Sequence, residues 1–430
     1  MLRIQRKLHE MTQRGEKIRI GLIGCGKMGR GLVSQLQRID GIRPSVIVDH
    51  TPEKARQTLL TLGVFPSQIL MTENVEEALS FLKTDGFVVT SNEALCYLPG
   101  QIDAVVEATG IPETGARIAV EAIAHKKHII MLNVECDSAV GPMLLKMAKE
   151  AGVVYTGTKG DEPGAIVELV DFALGAGFEV VAVGKGKNNK LCHSATLEEL
   201  AEEAEARGLS AHMLCSFVDG SNTMTELTSA ANALGFIPDV PGCHGLTTTP
   251  AEIADLLKRK EQGGILEKYG IVEYAFGMAP GVFAIVTSEV PEVIELMEYL
   301  GLGKGPNYTL YRPYHLTSLE TPISIFDAVI EHEPSIAPVY GQISEAVAVA
   351  KRDCFANEAA NGIGSNEVYG WIVSHELLQE KRLVPIALLS SKTKFRRDVK
   401  KGQWITEEDI ELDETAVITK LRREQDRLGL

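Results

Sequence analysis

Two lysines and two asparagines lie close together in the segment Gly184-Lys185-Gly186-Lys187-Asn188-Asn189. Two ammonium groups and two amides can hold a phosphate or a carboxylate, and they can polarise a carbonyl group. The whole chain carries a formal net charge of −15, so this local density of donors is informative. We interpret Lys185 and Lys187 as catalytic residues and Asn188 and Asn189 as substrate-binding residues. An exposed basic loop without a chemical role is the alternative.

An acidic pair, Asp161 and Glu162, stands where the last strand of a parallel sheet is expected to end. Two carboxylates there can orient a lysine, hold a divalent metal ion or take part in acid–base transfer. We therefore place both among the catalytic candidates and the candidate metal ligands. The alternative is that they cap the helix predicted to start at Pro163, and both interpretations stay open.

A third group of candidates lies in the segment Tyr311-Arg312-Pro313-Tyr314-His315-Leu316. Arg312 offers a bidentate donor for an anion, and His315 offers a group that titrates near neutral pH. Both are predicted to bind the substrate. A core histidine with a satisfied hydrogen bond is the alternative for His315.

The glycine turn Gly24-Cys25-Gly26-Lys27-Met28-Gly29 follows a predicted buried strand and opens a predicted helix. In this context Gly24 allows the tight turn, Gly26 lets a pyrophosphate approach the backbone, and Gly29 permits close packing of helix on sheet. The helix that starts near Lys27 and Met28 then faces the phosphates with its N-terminal N–H groups. The turn predicts a dinucleotide site, and a glycine-rich turn without a nucleotide is the alternative.

Asp49 stands twenty residues after Gly29, at the end of the second predicted strand. A carboxylate at this position accepts hydrogen bonds from the adenosine ribose, which favours NAD over NADP. The alternative is a solvated acid at a strand end. Because His50 and Lys54 lie nearby, NADP also stays open as the cofactor.

Two further loops follow strand ends on the carboxyl edge of the predicted sheet. Thr109 and Gly110 follow one strand, and Asn133 follows the next. Since ligands of such sheets bind along this edge, these residues are predicted to border the nicotinamide ribose. For Asn133, a helix or turn cap is the alternative.

The elements that must position these residues alternate between short apolar strands and helices over the first 160 residues. Strands are predicted at 18–23, 45–48, 103–107, 128–132 and 153–155. This pattern predicts an α/β fold whose N-terminal part is a Rossmann, doubly wound parallel sheet, spanning residues 1–160. An α+β substrate and oligomerisation domain follows over residues 161–335, and a small β-rich domain over residues 336–430.

Finer expectations concern individual elements. Met1 to Lys17 is expected to form an amphipathic helix, and residues 178–183 a strand that runs into the lysine segment. Two capping boxes are predicted, Thr196 with Glu199 and Thr249 with Glu252, the second with Pro250 as the first helical residue.

The composition limits the classes of function. With 45% hydrophobic and 23% charged residues, the chain is an ordinary globular sequence. Its acidity disfavours nucleic acid and anionic membranes, so a small molecule is the expected partner. No apolar run is long enough to span a bilayer, and seven scattered cysteines without metal-site spacing fit a reducing, cytoplasmic compartment.

Taken together, the motifs resemble the homoserine-dehydrogenase-like oxidoreductases that carry a C-terminal SAF domain, and especially the 1-deoxy-D-xylulose 5-phosphate reductoisomerase-like enzymes. The resemblance rests on the glycine turn, the lysine–asparagine segment and three further runs of sequence: 108–113, 160–163 and 312–320. It extends to an SAF-like run, Lys401-Gly402-Gln403-Trp404-Ile405-Thr406. It implies a Rossmann domain, catalytic lysines, a homo-oligomer and a small phosphorylated or acidic keto sugar or polyol as substrate.

Two departures bear on what the resemblance implies. The reductoisomerase-like enzymes use NADPH and typically end the second strand in basic residues, whereas this chain has Val48-Asp49-His50. Homoserine dehydrogenase itself is disfavoured, because its Asn-Lys pair is matched here by Asn133-Val134. The expected function is an NAD(P)-dependent oxidoreductase acting on CH–OH groups. A sugar-acid or polyol-phosphate dehydrogenase without isomerisation and a non-catalytic dinucleotide-binding sensor are the alternatives.

Overall fold

A computed structural model describes residues 3–430. The helices are α1 Arg3–Gln13, α2 Lys27–Leu36, α3 Pro52–Thr61, α4 Val75–Leu82, α5 Pro112–Ala124, α6 Val134–Ala151, α7 Glu162–Gly175, α8 Leu197–Arg207, α9 Ala211–Asp219, α10 Ser221–Leu234, α11 Ile253–Leu256, α12 Pro291–Tyr299, α13 Thr321–Phe326, α14 His375–Lys381 and α15 Val417–Leu428. The strands are β1 Ile18–Ile23, β2 Ile42–Val48, β3 Ile69–Met71, β4 Phe87–Thr90, β5 Ala104–Glu107, β6 His128–Met131, β7 Tyr155–Gly157, β8 Glu179–Gly186, β9 Ile237–Pro238, β10 Leu246–Thr247, β11 Ile271–Phe276, β12 Val282–Thr287, β13 Asn307–Arg312, β14 Ser344–Ala350, β15 Val368–Ser374, β16 Lys394–Phe395 and β17 Ile410–Glu411.

These elements form two compact units. The first holds the chain up to Asp161 together with Leu316–Ala337, and the second holds Glu162–His315 together with Pro338–Leu430. The sequence placed residues 316–335 with the substrate domain and residues 336–430 in a third domain. In the structure the returning segment instead pairs with the first unit, where the Thr317 N–H donates to Gly160 O at 2.7 Å.

The first unit is built on one parallel sheet of seven strands in the order β3-β4-β2-β1-β5-β6-β7. All residues of its central strand β1 except Arg19 are buried, as is typical of parallel sheets covered on both faces. The order reverses between β1 and β5, so the carboxyl ends of these strands form the crevice where ligands of such sheets bind. The predicted α/β fold with a doubly wound parallel sheet is confirmed.

Some element predictions were confirmed and others were wrong in their bounds. The amphipathic N-terminal helix is α1, and residues 1 and 2 lie outside the described part of the chain. The last strand was predicted at 153–155 but lies at Tyr155–Gly157, because pairing with β6 begins at Tyr155 opposite Ile129. The edge strand β3 and its neighbour β4 were missed.

The second unit is built on a mixed sheet in the order β10-β11-β8-β12-β13. Paired residues on neighbouring strands point to the same face of a sheet. Tyr274, Lys185, Val282 and Arg312 are paired in one row across β11, β8, β12 and β13, so their side chains share a face. Helices α7 and α10 pack on this face.

Strand β8 runs further than the sequence predicted. The expected strand ended at residue 183, with glycines loosening the chain after it, whereas β8 continues through Gly186. A Cβ added at Gly184 would lie 2.0 Å from Glu273 O, and one at Gly186 would lie 2.2 Å from Ala279 N. These glycines therefore permit close packing, and they hold Lys185 in a regular strand.

Of the two predicted capping boxes, one is present and one is not. Thr196 and Glu199 form the predicted box at the start of α8. The second prediction was wrong: Thr249 does donate to Glu252, but α11 begins only at Ile253 and Pro250 lies in a turn before it.

The C-terminal part of the second unit is rich in short β elements, as predicted. The hairpin of β14 and β15 packs on α10, and β16 pairs with β17. Helix α15 is anchored by Arg422, whose guanidinium donates to both oxygens of Glu345 at 3.0 and 2.6 Å. Within residues 3–430, no helix is both long enough and apolar enough to cross a bilayer.

Candidate active site

The glycine turn after β1 takes the shape that its sequence predicts. Gly24 has a φ of +100°, and a Cβ there would lie 2.7 Å from Ala108 O. A Cβ on Gly29 would lie 2.0 Å from Gly24 O. Packing of the protein on itself therefore explains both of these glycines.

Gly26 is different. Its φ of −71° suits any residue, and a Cβ there would meet no atom of the described chain within 4 Å. It is the N-cap of α2, where the helix dipole favours an anion. The protein itself does not need a glycine at this position, whereas the close approach of a pyrophosphate to the backbone does, so the residues present fit a dinucleotide.

Asp49 lies directly beside this turn. Its Oδ2 accepts the Cys25 N–H at 2.9 Å, its Oδ1 accepts the Thr51 N–H at 2.8 Å, and the exposed His50 ring places Nδ1 3.0 Å from Oδ1. The carboxylate thus fixes the glycine turn while standing at the end of β2, where an adenosine ribose is bound in dinucleotide folds.

The loop after β5 is held by a buried acid that the sequence analysis did not single out. Glu107 Oε1 accepts the Thr109 N–H at 2.8 Å and the Thr109 hydroxyl, and Gly110 turns with a φ of +67°. Burial raises the pKa of Glu107 to about 7, against the opposing effect of its hydrogen bonds with Thr109. A strand-end acid followed by Thr-Gly was the available signal.

Asn133 takes the capping geometry that was its alternative. Its Oδ1 accepts the Cys136 N–H at 3.1 Å as the N-cap of α6, and its Nδ2 donates to Ile111 O at 3.0 Å. The side chain is fully buried, so it joins the loop after β5 to the start of α6. A role beside the nicotinamide ribose stays a prediction.

Glu107→Gln is expected to flatten the pH dependence of stability. With its pKa raised from 4.5 to about 7, the folded protein keeps a proton that the unfolded chain releases, so stability falls as pH rises through this window. The variant should gain up to about 3 kcal/mol relative to the wild type between pH 4.5 and pH 8. Denaturant unfolding at both pH values measures this gain. The exposed Glu121→Gln is the control, and an equally steep pH dependence in both variants would contradict the assignment.

In the second unit, Lys185 lies between two carboxylates on two different helices. Its Nζ lies 2.6 Å from Glu162 Oε1 and also donates to Glu226 Oε2. Asn222, one turn before Glu226 on α10, donates to Glu226 Oε1 at 2.6 Å. Burial works to lower the pKa of Lys185, but the two carboxylates outweigh it and raise that pKa, so the side chain keeps its charge.

One ammonium group cannot compensate two buried carboxylates. Burial, together with the charge of Glu162, raises the pKa of Glu226 to about 8 against the opposing effect of Lys185. Glu226 therefore keeps a proton to higher pH than an ordinary glutamate does. Neither Glu226 nor Asn222 was found from the sequence, although an acid within the otherwise uncharged helix Ser221–Leu234 was a usable signal.

Lys187 lies just beyond β8 and is equally buried. Its Nζ donates to Phe217 O at 2.8 Å and lies 3.4 Å from Thr223 Oγ1. Burial, followed by the repulsion of Lys185, lowers its pKa to about 8. An amine with such a pKa can give up and take back a proton near neutral pH.

The two asparagines of this segment lie differently from the lysines. Asn188 is exposed, and Asn189 is half-buried, with its Oδ1 3.4 Å from Arg207 Nη1. Within residues 3–430, no hydrogen bond joins either amide to the lysine ammonium groups. Their role in substrate binding stays a prediction.

Arg312 and His315 both lie in the second unit near α7. Arg312 Nη1 lies 2.9 Å from Glu168 Oε2, with its guanidinium over the Tyr314 ring at 4.7 Å. His315 Nε2 lies 3.4 Å from Glu162 Oε1. Lys185 and His315 thus both lie beside Glu162.

A divalent metal at Glu162 would have to share this carboxylate with the Lys185 ammonium, which already contacts Oε1 at 2.6 Å. Asp161 is the last residue of the first unit and precedes Glu162 directly in the chain. The metal stays a prediction from the acidic pair.

Two parts of the chain are similar to known families of oxidoreductase domains. Residues 24–156 match the family described as "Homoserine dehydrogenase, NAD binding domain", and residues 160–321 match "Oxidoreductase DRL, catalytic domain". A homoserine dehydrogenase from Synechocystis sp. is 27% identical over 171 residues, which cover 38% of this chain and 31% of that protein. The match thus spans about a third of the length of this relative.

Solved structures of dehydrogenases also resemble the chain. A putative myo-inositol dehydrogenase from Sinorhizobium meliloti is 14% identical, with a TM-score of 0.42, over 75% of this chain and 93% of that one. A probable dehydrogenase from Thermotoga maritima has the same identity and TM-score over 75% and 92% of the two chains.

The glycine turn, the sheet that carries it and the matched domains define an NAD(P)-dependent oxidoreductase. More particularly, residues 24–156 are similar to a homoserine-dehydrogenase NAD-binding domain, and residues 160–321 are similar to a DRL-type oxidoreductase catalytic domain. It is an enzyme, and the alternative of a non-catalytic sensor is set aside.

Proposed function

We propose that this enzyme interconverts a ketone and an alcohol on a small phosphorylated or acidic keto sugar or polyol, with Lys187 as the proton donor and acceptor. Lys187 itself carries the proposal, because its buried amine has a pKa of about 8. Buried groups with pKa values moved toward neutrality are typical of acid–base catalysts.

The proposed reduction balances in one step. A dinucleotide held by the glycine turn and Asp49 would supply the hydride for the carbonyl carbon. As the C=O bond becomes a single bond, its electron pair moves to the oxygen, which takes a proton from the Lys187 ammonium. Lys185, held charged by Glu162 and Glu226, supplies a fixed positive charge that stabilises negative charge developing on that oxygen.

Three cationic side chains support an anionic substrate. Lys185 and Arg312 share one face of the sheet, and Lys187 lies two residues after Lys185, just beyond the end of β8. NAD is the proposed preference, supported by the carboxylate of Asp49 at the end of β2, with NADP as the second cofactor to test.

Isomerisation before reduction, as in a 1-deoxy-D-xylulose 5-phosphate reductoisomerase-like enzyme, is the finer form of the proposal. It needs charge stabilisation on an enediolate or retro-aldol fragment, which Lys185 or a metal at Asp161 and Glu162 would supply. A polyol-phosphate or sugar-acid dehydrogenase without isomerisation remains the alternative.

The proposal extends to the setting of the enzyme. Exposed apolar side chains on and after α12, Leu296, Tyr299 and Leu300, support a homo-oligomer formed through the second unit. Seven free thiols support a cytoplasmic setting. The β-rich segment after Pro338 is proposed to be SAF-like.

A panel of keto sugar phosphates, keto acids and polyol phosphates tests the proposed function. The purified enzyme is incubated with each compound and NADH or NADPH, and dinucleotide oxidation is followed by absorbance. We expect turnover with at least one anionic keto compound and none with its neutral analogue. Mass spectrometry and NMR of the product then separate the two forms, because only the reductoisomerase changes the carbon skeleton. Faster turnover of neutral ketones would overturn the substrate class.

A further inference from the structure

A buried lysine of the C-terminal segment pairs with the last residue of α9. Lys351 directly follows β14, is only 4% exposed and has four partners. Its Nζ lies 2.7 Å from Asp219 Oδ2, 2.6 Å from Ser365 O and 3.2 Å from both Ala195 O and Cys215 Sγ. A lysine this deeply buried remains charged only with such compensation.

Asp219 connects this lysine to the start of α10. While Oδ2 pairs with Lys351, Oδ1 accepts the Ser221 N–H at 2.7 Å, which satisfies a donor of the first turn of α10. A second contact comes from β15, where the Gly370 N–H donates to Ser221 Oγ at 2.8 Å. The C-terminal segment thus fixes the start of α10 at two points.

The first two turns of α10 and the end of α9 carry the partners of the two site lysines. Glu226 pairs with Lys185, and Thr223 lies beside Lys187. The carbonyl oxygen of Phe217, two residues before Asp219, accepts a hydrogen bond from the Lys187 ammonium. A shift at the start of α10 therefore moves groups that hold both lysines.

We propose that Lys351 is a positioning residue for the reaction, which sets the start of α10 and neutralises Asp219 so that the lysine site keeps its geometry and charge. The inference rests on the proposed function of Lys187. Through Asp219 and the start of α10, the C-terminal segment thus influences both site lysines.

Loss of the Lys351 charge is expected to change the pKa of Lys187. The groups that act on Lys187 from the elements around it are Lys185, Glu226, Asp219, Glu162 and, in the loop before α8, His193. In the wild type, Lys351 compensates the carboxylate of Asp219 at 2.7 Å. Without that compensation Asp219 attracts a proton to Lys187 more strongly, and the pKa of Lys187 rises.

Lys351→Met tests the proposal with the substrate that the enzyme turns over. We expect kcat to fall by roughly 10- to 100-fold, dinucleotide affinity to stay within about twofold, and the alkaline limb of the pH profile to move up by about one unit. Competitive acetylation of Lys187 as a function of pH, read by mass spectrometry, reports the same shift without using activity.

Two further variants separate positioning from general stability. Arg422→Met breaks an equally buried ion pair, with Glu345, in the same C-terminal segment, so it should lower thermal stability but leave kcat and the limb unchanged. The double variant Lys351→Met with Asp219→Asn removes both charges and keeps an oxygen to accept the Ser221 N–H. Its limb should return to the wild-type position, while kcat stays reduced.

The outcomes decide between the hypotheses. The proposal is overturned if Lys351→Met has the kcat of the wild type and an unchanged acetylation profile. If Lys351→Met does not fold, a wild-type kcat in the double variant overturns it instead. An equal loss of activity in Arg422→Met also overturns it. Failure of the proposed function is recognised separately, because Lys187→Met would then turn over normally while the acetylation shift in Lys351→Met could still be observed.

Discussion

Lys187→Met is expected to lower kcat by roughly 100- to 10,000-fold while leaving dinucleotide affinity nearly unchanged. Methionine has a similar length and no ionisable group, so the variant removes the proton donor and little else from the buried position. The lost hydrogen bond to Phe217 O should cost about 1 kcal/mol of stability. Stopped-flow reduction kinetics and a fluorescence titration with NADH measure the two effects separately.

The role of Lys187 also predicts the direction in which activity changes with pH. In the direction of ketone reduction, Lys187 must be protonated, so activity should fall as pH rises through about 8. The same residue acting as a base predicts the opposite slope for alcohol oxidation, with activity rising through that pH. Both limbs should disappear in Lys187→Met, whose residual rate takes its proton from water.

Matched variants define what would contradict the assignment. Lys190→Met removes an exposed lysine three residues further along and should retain wild-type kinetics. If Lys187→Met turned over normally, the proton would have to come from another group, and Glu226 with its pKa of about 8 is the one in place. Loss of the limb in Glu226→Gln but not in Lys187→Met would reassign the role.

The nucleotide-binding half of the fold could be predicted because its signals are local. A buried strand, three glycines and a helix follow one another within twenty residues, and each constrains its neighbour. Asp49 could be found in the same way, at a fixed distance from the turn. Its bond to the Cys25 N–H joins two segments of the chain and was visible only in the structure.

The lysine site could be predicted only in part, because its partners are distant in the sequence. Lys185 meets Glu226, which lies 41 residues further along on another helix, and no local pattern records that distance. Spacing also misled about Asn188. Lys185 and Lys187 are both buried, whereas Asn188, the residue directly after Lys187, is exposed.

Residues 316–337 illustrate a third limit. The sequence analysis placed residues 316–335 in the substrate domain, because the next domain was expected to begin only at residue 336. In the structure the Gly157 N–H donates to Ile336 O at 2.9 Å, and a Cβ on Gly31 would lie 2.8 Å from Ser318 Oγ. A chain that returns to an earlier unit is recognised by its contacts, and continuity along the sequence does not reveal it.

Gly26→Val is expected to weaken the binding of NAD and NADP by roughly 100-fold while the protein stays folded. The valine side chain would fill the open space beside the N-terminus of α2, where a Cβ meets no described atom within 4 Å. Keeping the pyrophosphate away from the backbone removes about two hydrogen bonds to a charged group, or about 3 kcal/mol, which corresponds to that loss of affinity. Isothermal titration calorimetry with each dinucleotide measures the change.

Substitutions at other glycines make this result specific. Gly175→Val introduces the same side chain at another open position, the last residue of α7, and should leave both affinity and thermal stability near wild type. Gly29→Ala should instead destabilise the fold, because its Cβ would lie 2.0 Å from Gly24 O. Thermal unfolding without ligand separates the two kinds of glycine. Unchanged dinucleotide affinity in a folded Gly26→Val would mean that the pyrophosphate does not approach this turn.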